Sequence, residues 1–213
     1  MATGTRRWTI IGLLCLAAAI TLPFVVPSYY TQFAAKVGIM GMLAMALNLV
    51  VGHGGLVSLC HGAFFGLAGY ALALATPRYD PAAIWWTLPL AVAAAGAAAL
   101  VIGALALRTR GIYFIMVTLA FGEMLFFLFF DTQFAGGSDG IFINTKPEVA
   151  MFGRALVDLD TPLAFYFVVL GALVAVIALL TMLVRSPFGH ALAAARDNER
   201  RMHALGFPVF RIR

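Results

Sequence analysis

Few residues of this sequence could do chemistry. Glu123 is the only acid in the middle of an apolar run, Ile112 to Phe130, and Thr118 lies shortly before it. A carboxylate at that depth of a membrane helix costs about 2.5–3.5 kcal/mol, so it must face a polar partner or a watery cavity. Proton carriage and a structural hydrogen bond both fit. The other cluster is Gly52-His53-Gly54-Gly55-Leu56-Val57-Ser58-Leu59-Cys60-His61-Gly62. Glycine permits backbone bends that other residues resist, and in transporters such breaks expose helix ends that hold ions or carboxylates. The plainer reading is a hairpin joining two apolar segments. His53, Cys60 and His61 lack a fourth ligand and the usual metal spacing, so no metal and no cofactor is expected. Ser58, His61, Thr118 and Glu123 are the candidate pathway residues.

Catalysis finds no support. The sequence has no G-x-x-x-x-G-K-[ST] loop, no H-E-x-x-H, no G-x-S-x-G and no paired carboxylates within an apolar run. The chain is not expected to be an enzyme, and any ATP-driven work falls to another subunit.

The elements that must position these residues are membrane helices. The 213 residues are 63% hydrophobic and 11% charged, against about 45–50% and about 25% in soluble domains. Mean hydropathy is +0.98. Six runs are each near or above the roughly 17-residue minimum for a span: about 8–26, 33–51, 56–76, 84–107, 112–130 and 163–184. Helices are required, because an open sheet in lipid leaves edge N–H and C=O groups unpaired. The fold class is therefore an all-α polytopic bundle, residues 1–184 forming the membrane domain. Arg6 and Arg7 followed by an apolar run resemble a signal peptide, but without an A-x-A site the run is expected to stay as the first span. Gly62, Gly66 and Gly69 fall at near-helical spacing, which suggests close helix packing. Cys15 and Cys60 lie in apolar stretches and are expected to be inert small hydrophobes.

The net charge of +5 is not spread as a nucleic-acid-binding face. Arg6, Arg7, Arg108, Arg110, Arg185, Arg196, Arg200, Arg201, Arg211 and Arg213 fall on one side; the other receives only Arg78, Lys146, Arg154 and, near a helix end, Lys36, and holds Asp80, Asp131, Asp139, Glu148, Asp158 and Asp160. That bias predicts both termini inside. Trp8, Trp85, Trp86, Tyr29, Tyr30 and Tyr79 lie near span ends, as interfacial aromatics do.

Two segments lie outside the spans. The outer loop 131–162 carries a tight turn at Gly136, Gly137, Ser138, Asp139 and Gly140. The inner segment 185–213 holds a helix-like stretch, His190 to Leu205, bounded by Pro187 and Gly206. Leu192, Ala195 and Met202 share one face, and Arg196, Arg200 and His203 another. It could lie on anionic lipid, but Asp197 and Glu199 favour docking into a protein.

Three stretches carry a resemblance. They are Leu47-Asn48-Leu49-Val50-Val51-Gly52 on through Ser58 to Gly66, then Arg110-Gly111-Ile112-Tyr113-Phe114 through Thr118 to Glu123, and Val184-Arg185-Ser186-Pro187-Phe188-Gly189-His190 through Arg196 to Gly206. Together with the Gly136–Gly140 turn, they resemble the M-type permease subunit of bacterial ABC importers for branched-chain amino acids. The resemblance implies these partners: a second permease subunit, two cytoplasmic ATP-binding subunits and a periplasmic amino-acid-binding protein. It also implies a bacterial inner-membrane location. By the same resemblance, His190, Leu192, Arg196, Asp197, Glu199, Arg200, Arg201 and Gly206 belong to the segment that couples to the ATPase. Family members continue for several more spans, so the sequence is expected to be a C-terminally truncated form. Urea and short-amide permeases resemble the family closely, and a proton-coupled secondary transporter or channel using Glu123 is the alternative from another class.

Overall fold

A computed structural model describes residues 2–76, 83–109, 111–132, 136–141, 149–151, 154–157 and 161–208. Among the described residues eight α-helices follow one another: α1 Ala2–Val25, α2 Ser28–Asn48, α3 His61–Ala75, α4 Ile84–Ala106, α5 Ile112–Asp131, α6 Pro162–Arg185, α7 Pro187–Asp197 and α8 Glu199–Ala204. Pro27 starts α2, where its fixed φ and missing N–H cost nothing.

The helices pack as two groups of three, α1 with α2 and α6, and α3 with α4 and α5. Ala35, Tyr166 and Val169 form the buried seam between α2 and α6. Gly38 permits that approach, since a Cβ there would stand 3.2 Å from Val169 Cγ1. The Tyr166 hydroxyl donates to the Ala19 carbonyl at 2.8 Å and ties α1 to the seam. Outward faces stay apolar, with Trp86, Leu100 and Met182 largely exposed. Lipid or protein must cover such surface, and an all-α bundle of this kind is the polytopic architecture expected from composition.

Among the described residues, four helices are long and apolar enough to cross a membrane: Ser28–His53, Ile84–Ala106, Ile112–Asp131 and Pro162–Arg185. Leu14–Val25 and His61–Ala75 are shorter apolar helices among the described residues. The third expected span therefore needs correction. Its helix begins at His61, not Leu56, and its 15 residues reach about 22 Å, short of the roughly 30 Å hydrocarbon core. The cause lies just before it. The helix of α2 continues through a π-helical turn, Leu49–His53, and then breaks at Gly55, whose φ is +67°. Residues 56–60 follow without helical structure.

Two further departures concern the ends. The inner stretch is two helices rather than one, because Asn198 leaves helical geometry and its side chain accepts from the Arg201 N–H at 2.9 Å as the cap of α8. Ser186 caps α7 in the same way, accepting from the Gly189 N–H at 3.3 Å. Leu192, Ala195 and Met202 are buried while Arg196, Arg200 and His203 are exposed, which matches the two-faced pattern of the sequence. In the loop after α5, a short antiparallel hairpin pairs β1 Val149–Met151 with β2 Arg154–Val157, which the all-α reading did not anticipate.

Candidate substrate pathway and coupling segment

The break between α2 and α3 organises the site. In residues 56–60 the side chains of Ser58 and Cys60 are buried, Cys60 wholly so, while Val57 and Leu59 are exposed. Non-helical backbone is tolerated at such depth only where protein or a watery cavity receives its polar groups. Here the Leu59 N–H donates to Thr118 Oγ1 at 3.3 Å, and that hydroxyl in turn donates to the Ile115 carbonyl at 3.0 Å. Gly122 lies beside the segment, a Cβ built there standing at ordinary contact distance, 3.8 Å, from Cys60 Cα. The segment is thus more than the simple hairpin considered from sequence.

A cavity opens on each side of it. The first, about 320 Å³, lies between α3 and α5 and includes Leu59, Gly62, Gly66, Gly122 and Glu123. Tyr70 and Phe129 also line it, their rings stacked at 4.4 Å. Leu67, Leu119, Leu125 and Phe126 make the remaining wall apolar, so the Glu123 carboxylate is its one acidic group. The second cavity, about 250 Å³, lies between α3, α4 and α5 and includes Ser58, Cys60, His61, Phe114 and Thr118. Ser58, His61 and Thr118 therefore meet around one space, and Glu123 faces the neighbouring one. Thr118 and Leu59 form the partition between them.

The glycines of α3 correct an expectation. Nothing lies within 4 Å of a Cβ built at Gly62, Gly66 or Gly69, so they do not serve close helix packing among the described residues. At Gly62 and Gly66 the missing side chains instead leave the α3–α5 cavity open. His53 and His61 each keep a buried Nδ1 with no hydrogen-bond partner. No group of three metal-binding side chains occurs among the described residues. Both cysteines are free thiols, Cys15 exposed and Cys60 buried.

The Gly136–Gly140 turn packs against α5. Gly136, Gly137 and Gly140 all have positive φ, a short 3₁₀ turn spans Gly137–Asp139, and the Gly137 N–H donates to Thr132 O at 3.2 Å. At Gly136 a Cβ would run into the Gly140 carbonyl, so glycine is required there.

The coupling residues divide by face. Leu192 is buried, whereas His190, Asp197, Arg200, Arg201 and Gly206 are exposed and Glu199 is half-buried. Glu199 lies 3.8 Å from His203 Nε2. Arg196 behaves differently from the rest. Its Nη1 donates to the Gly52 carbonyl, a contact across 144 positions that no local sequence signal announces.

Residues 29–213 match the model of one protein family, described as branched-chain amino acid transport system / permease component. This chain belongs to that family. It is similar to the high-affinity branched-chain amino acid transport system permease protein LivM of Escherichia coli strain K12, 31% identical over 231 residues, covering 100% of this chain and 54% of that protein. The LivM of Salmonella typhimurium strain LT2 is 31% identical over 217 residues, covering 93% of this chain and 51% of that protein. The chain spans about half the length of the curated relatives it matches. No solved structure matches it. That family is a permease component of a transport system, and the apolar helices of this chain agree with a multi-pass membrane protein.

Proposed function

We propose that this chain is the M-type permease subunit of an ABC importer that carries branched-chain amino acids across the bacterial inner membrane. The observation that carries the reading is the α3–α5 cavity, with apolar walls and a single carboxylate, at about the lower bound of volume for small-ligand sites. Such walls suit a branched aliphatic side chain, and an acid suits an ammonium group. Urea or a short amide would leave most of that apolar surface unused. Part of the pathway is assigned to Ser58, His61, Thr118 and Glu123, around the break.

Both termini lie on the cytoplasmic side in this reading. The arginine-rich segment α7–α8 then meets the ATP-binding subunits, and the Gly136–Gly140 turn faces the periplasm, where an amino-acid-binding protein delivers substrate. The partners are that binding protein, two ATP-binding subunits, a second permease subunit and the surrounding bilayer.

Two measurements test this. In vesicles holding the assembled importer, internal ATP and the cognate binding protein are expected to drive accumulation of labelled leucine. Urea or acetamide should not accumulate, and uptake of either without leucine uptake would reject the substrate assignment. For orientation, Ser138→Cys and Arg200→Cys are compared in a background carrying Cys15→Ser and Cys60→Ala. An impermeant thiol reagent added outside intact cells should label the first, and the second only after permeabilisation. The reverse pattern inverts the topology.

A further inference from the structure

α7 is joined to the membrane domain through the glycine corner. The π-helical turn ends with its last carbonyls beyond the reach of helical N–H partners, since the Gly54, Gly55 and Leu56 N–H groups return to Leu49, Val51 and Val50. Orphan carbonyls at a helix end need a donor. Arg196 of α7 supplies one to Gly52, as a charge-assisted bond, which is stronger than a neutral one. The arginine stem then lies flat on Gly55. A Cβ at Gly55 would stand 3.1 Å from Arg196 Cδ and 3.3 Å from Arg196 Cβ. Glycine is therefore favoured at 55 on two counts, its φ of +67° and the room it leaves for the stem. Asp197 Oδ1 lies 3.6 Å from Arg196 Nε, on the opposite edge of the reach.

The corner is in turn bound to the cavity wall. Only residues 56–58 separate Gly55 from Leu59, whose N–H is held by Thr118. Cys60 then packs on Gly122, which lines the cavity beside Glu123. A short, unbroken physical path thus runs from α7 through Arg196, the 52–55 corner and residues 56–60 to the middle of α5.

We propose that Arg196 is a positioning residue which clamps α7 to the helix break, so that displacement of α7 is passed to the partition between the two cavities. This rests on the import reading above for what displaces α7. It differs from the expectation that Arg196 belongs to the surface offered to the ATPase. Its guanidinium is engaged with the chain's own backbone, and the exposed Arg200 and Arg201 are left for the partner.

The clamp is tested in the assembled importer in two ways. Cβ atoms of a disulfide stand about 3.5–4.5 Å apart, close to the 3.3 Å available here. Gly55→Cys with Arg196→Cys, in the background of Cys15→Ser and Cys60→Ala, should cross-link on mild oxidation. The reduced double variant lacks the clamp and should import leucine poorly, whereas the covalent link joins α7 to the corner again, so uptake should rise on oxidation and fall with reductant. Uptake lower in the cross-linked than in the reduced form would overturn the proposal, as would failure to cross-link in membranes. Separately, Arg196→Met keeps the apolar stem but removes the donors, and should lower leucine imported per ATP hydrolysed by roughly ten-fold. Arg196→Lys, with a donor on a similar stem, should recover part of that ratio. A ratio unchanged in Arg196→Met sinks the clamp, and so does a loss explained wholly by ATP-binding subunits failing to co-purify. Absence of ATP-driven leucine uptake by the unsubstituted importer strikes the import reading instead.

Discussion

Glu123→Leu is expected to reduce ATP-driven leucine uptake by at least roughly ten-fold, while Glu123→Gln keeps most of it. Ten-fold corresponds to about 1.4 kcal/mol, which is what one hydrogen bond in a partly dehydrated site contributes. Glutamine retains the shape and much of the hydrogen-bonding capacity of glutamate but cannot titrate. Leucine keeps neither, and makes the α3–α5 cavity wholly apolar at its one acidic position. In an importer driven by ATP, the group lines the path or holds a polar contact, and proton transfer is not part of its work. A proton-coupled carrier predicts the opposite order, with the glutamine variant inactive. Vesicles loaded with ATP and treated with an uncoupler separate the two. Uptake that dies with the proton gradient, and dies equally in Glu123→Gln, removes the ABC reading.

The second large effect is expected at Gly189. It sits in the first turn of α7, buried against the end of α6. A methyl there would stand 2.5 Å from the Leu183 carbonyl oxygen and 2.7 Å from the Val184 carbonyl carbon. Backbone cannot yield as a flexible side chain can, so α7 must swing away from α6. Overpacking of that kind costs about 1–3 kcal/mol, and it also dislodges Arg196 from Gly52. Gly189→Ala should therefore abolish most uptake and lower the yield of assembled complex. Gly171→Ala is the matched control, since nothing lies within 4 Å of the added methyl. Equal uptake by the two variants would show that the α6–α7 junction has more room than its geometry allows.

Much of the bundle was legible in the sequence because hydropathy and helix length are linked by membrane thickness. The runs at 84–107, 112–130 and 163–184 agree with α4, α5 and α6 within a residue or so at each end. The third run misled because Leu56, Val57, Leu59 and Cys60 are as apolar as a helix would be. Hydropathy does not encode backbone conformation, and this apolar stretch is non-helical, with Cys60 buried and Val57 and Leu59 exposed. The signal for the break was the paired glycines, which were read as a bend but could not say on which side the chain would re-enter. The candidate site was legible as residue types only. Ser58, His61 and Thr118 do converge, but on a cavity adjoining that of Glu123, and the partition through the Leu59 N–H is a tertiary matter. Tyr70 stacking on Phe129 and Arg196 reaching Gly52 join positions far apart in the chain, and no spacing encodes them.

The same buried break constrains how the protein is made. An ordinary span satisfies its backbone internally and can leave the translocon alone. Residues 56–60 cannot, because the acceptor for the Leu59 N–H is Thr118, 59 positions later. At about 5–20 residues per second, the ribosome needs roughly 3–12 s to supply it. During that interval α3 is a short apolar helix carrying unsatisfied amides on its leading edge, so it must wait beside water or insertase. Its transfer into lipid is then expected to wait for α5, with α3, α4 and α5 entering the bilayer together.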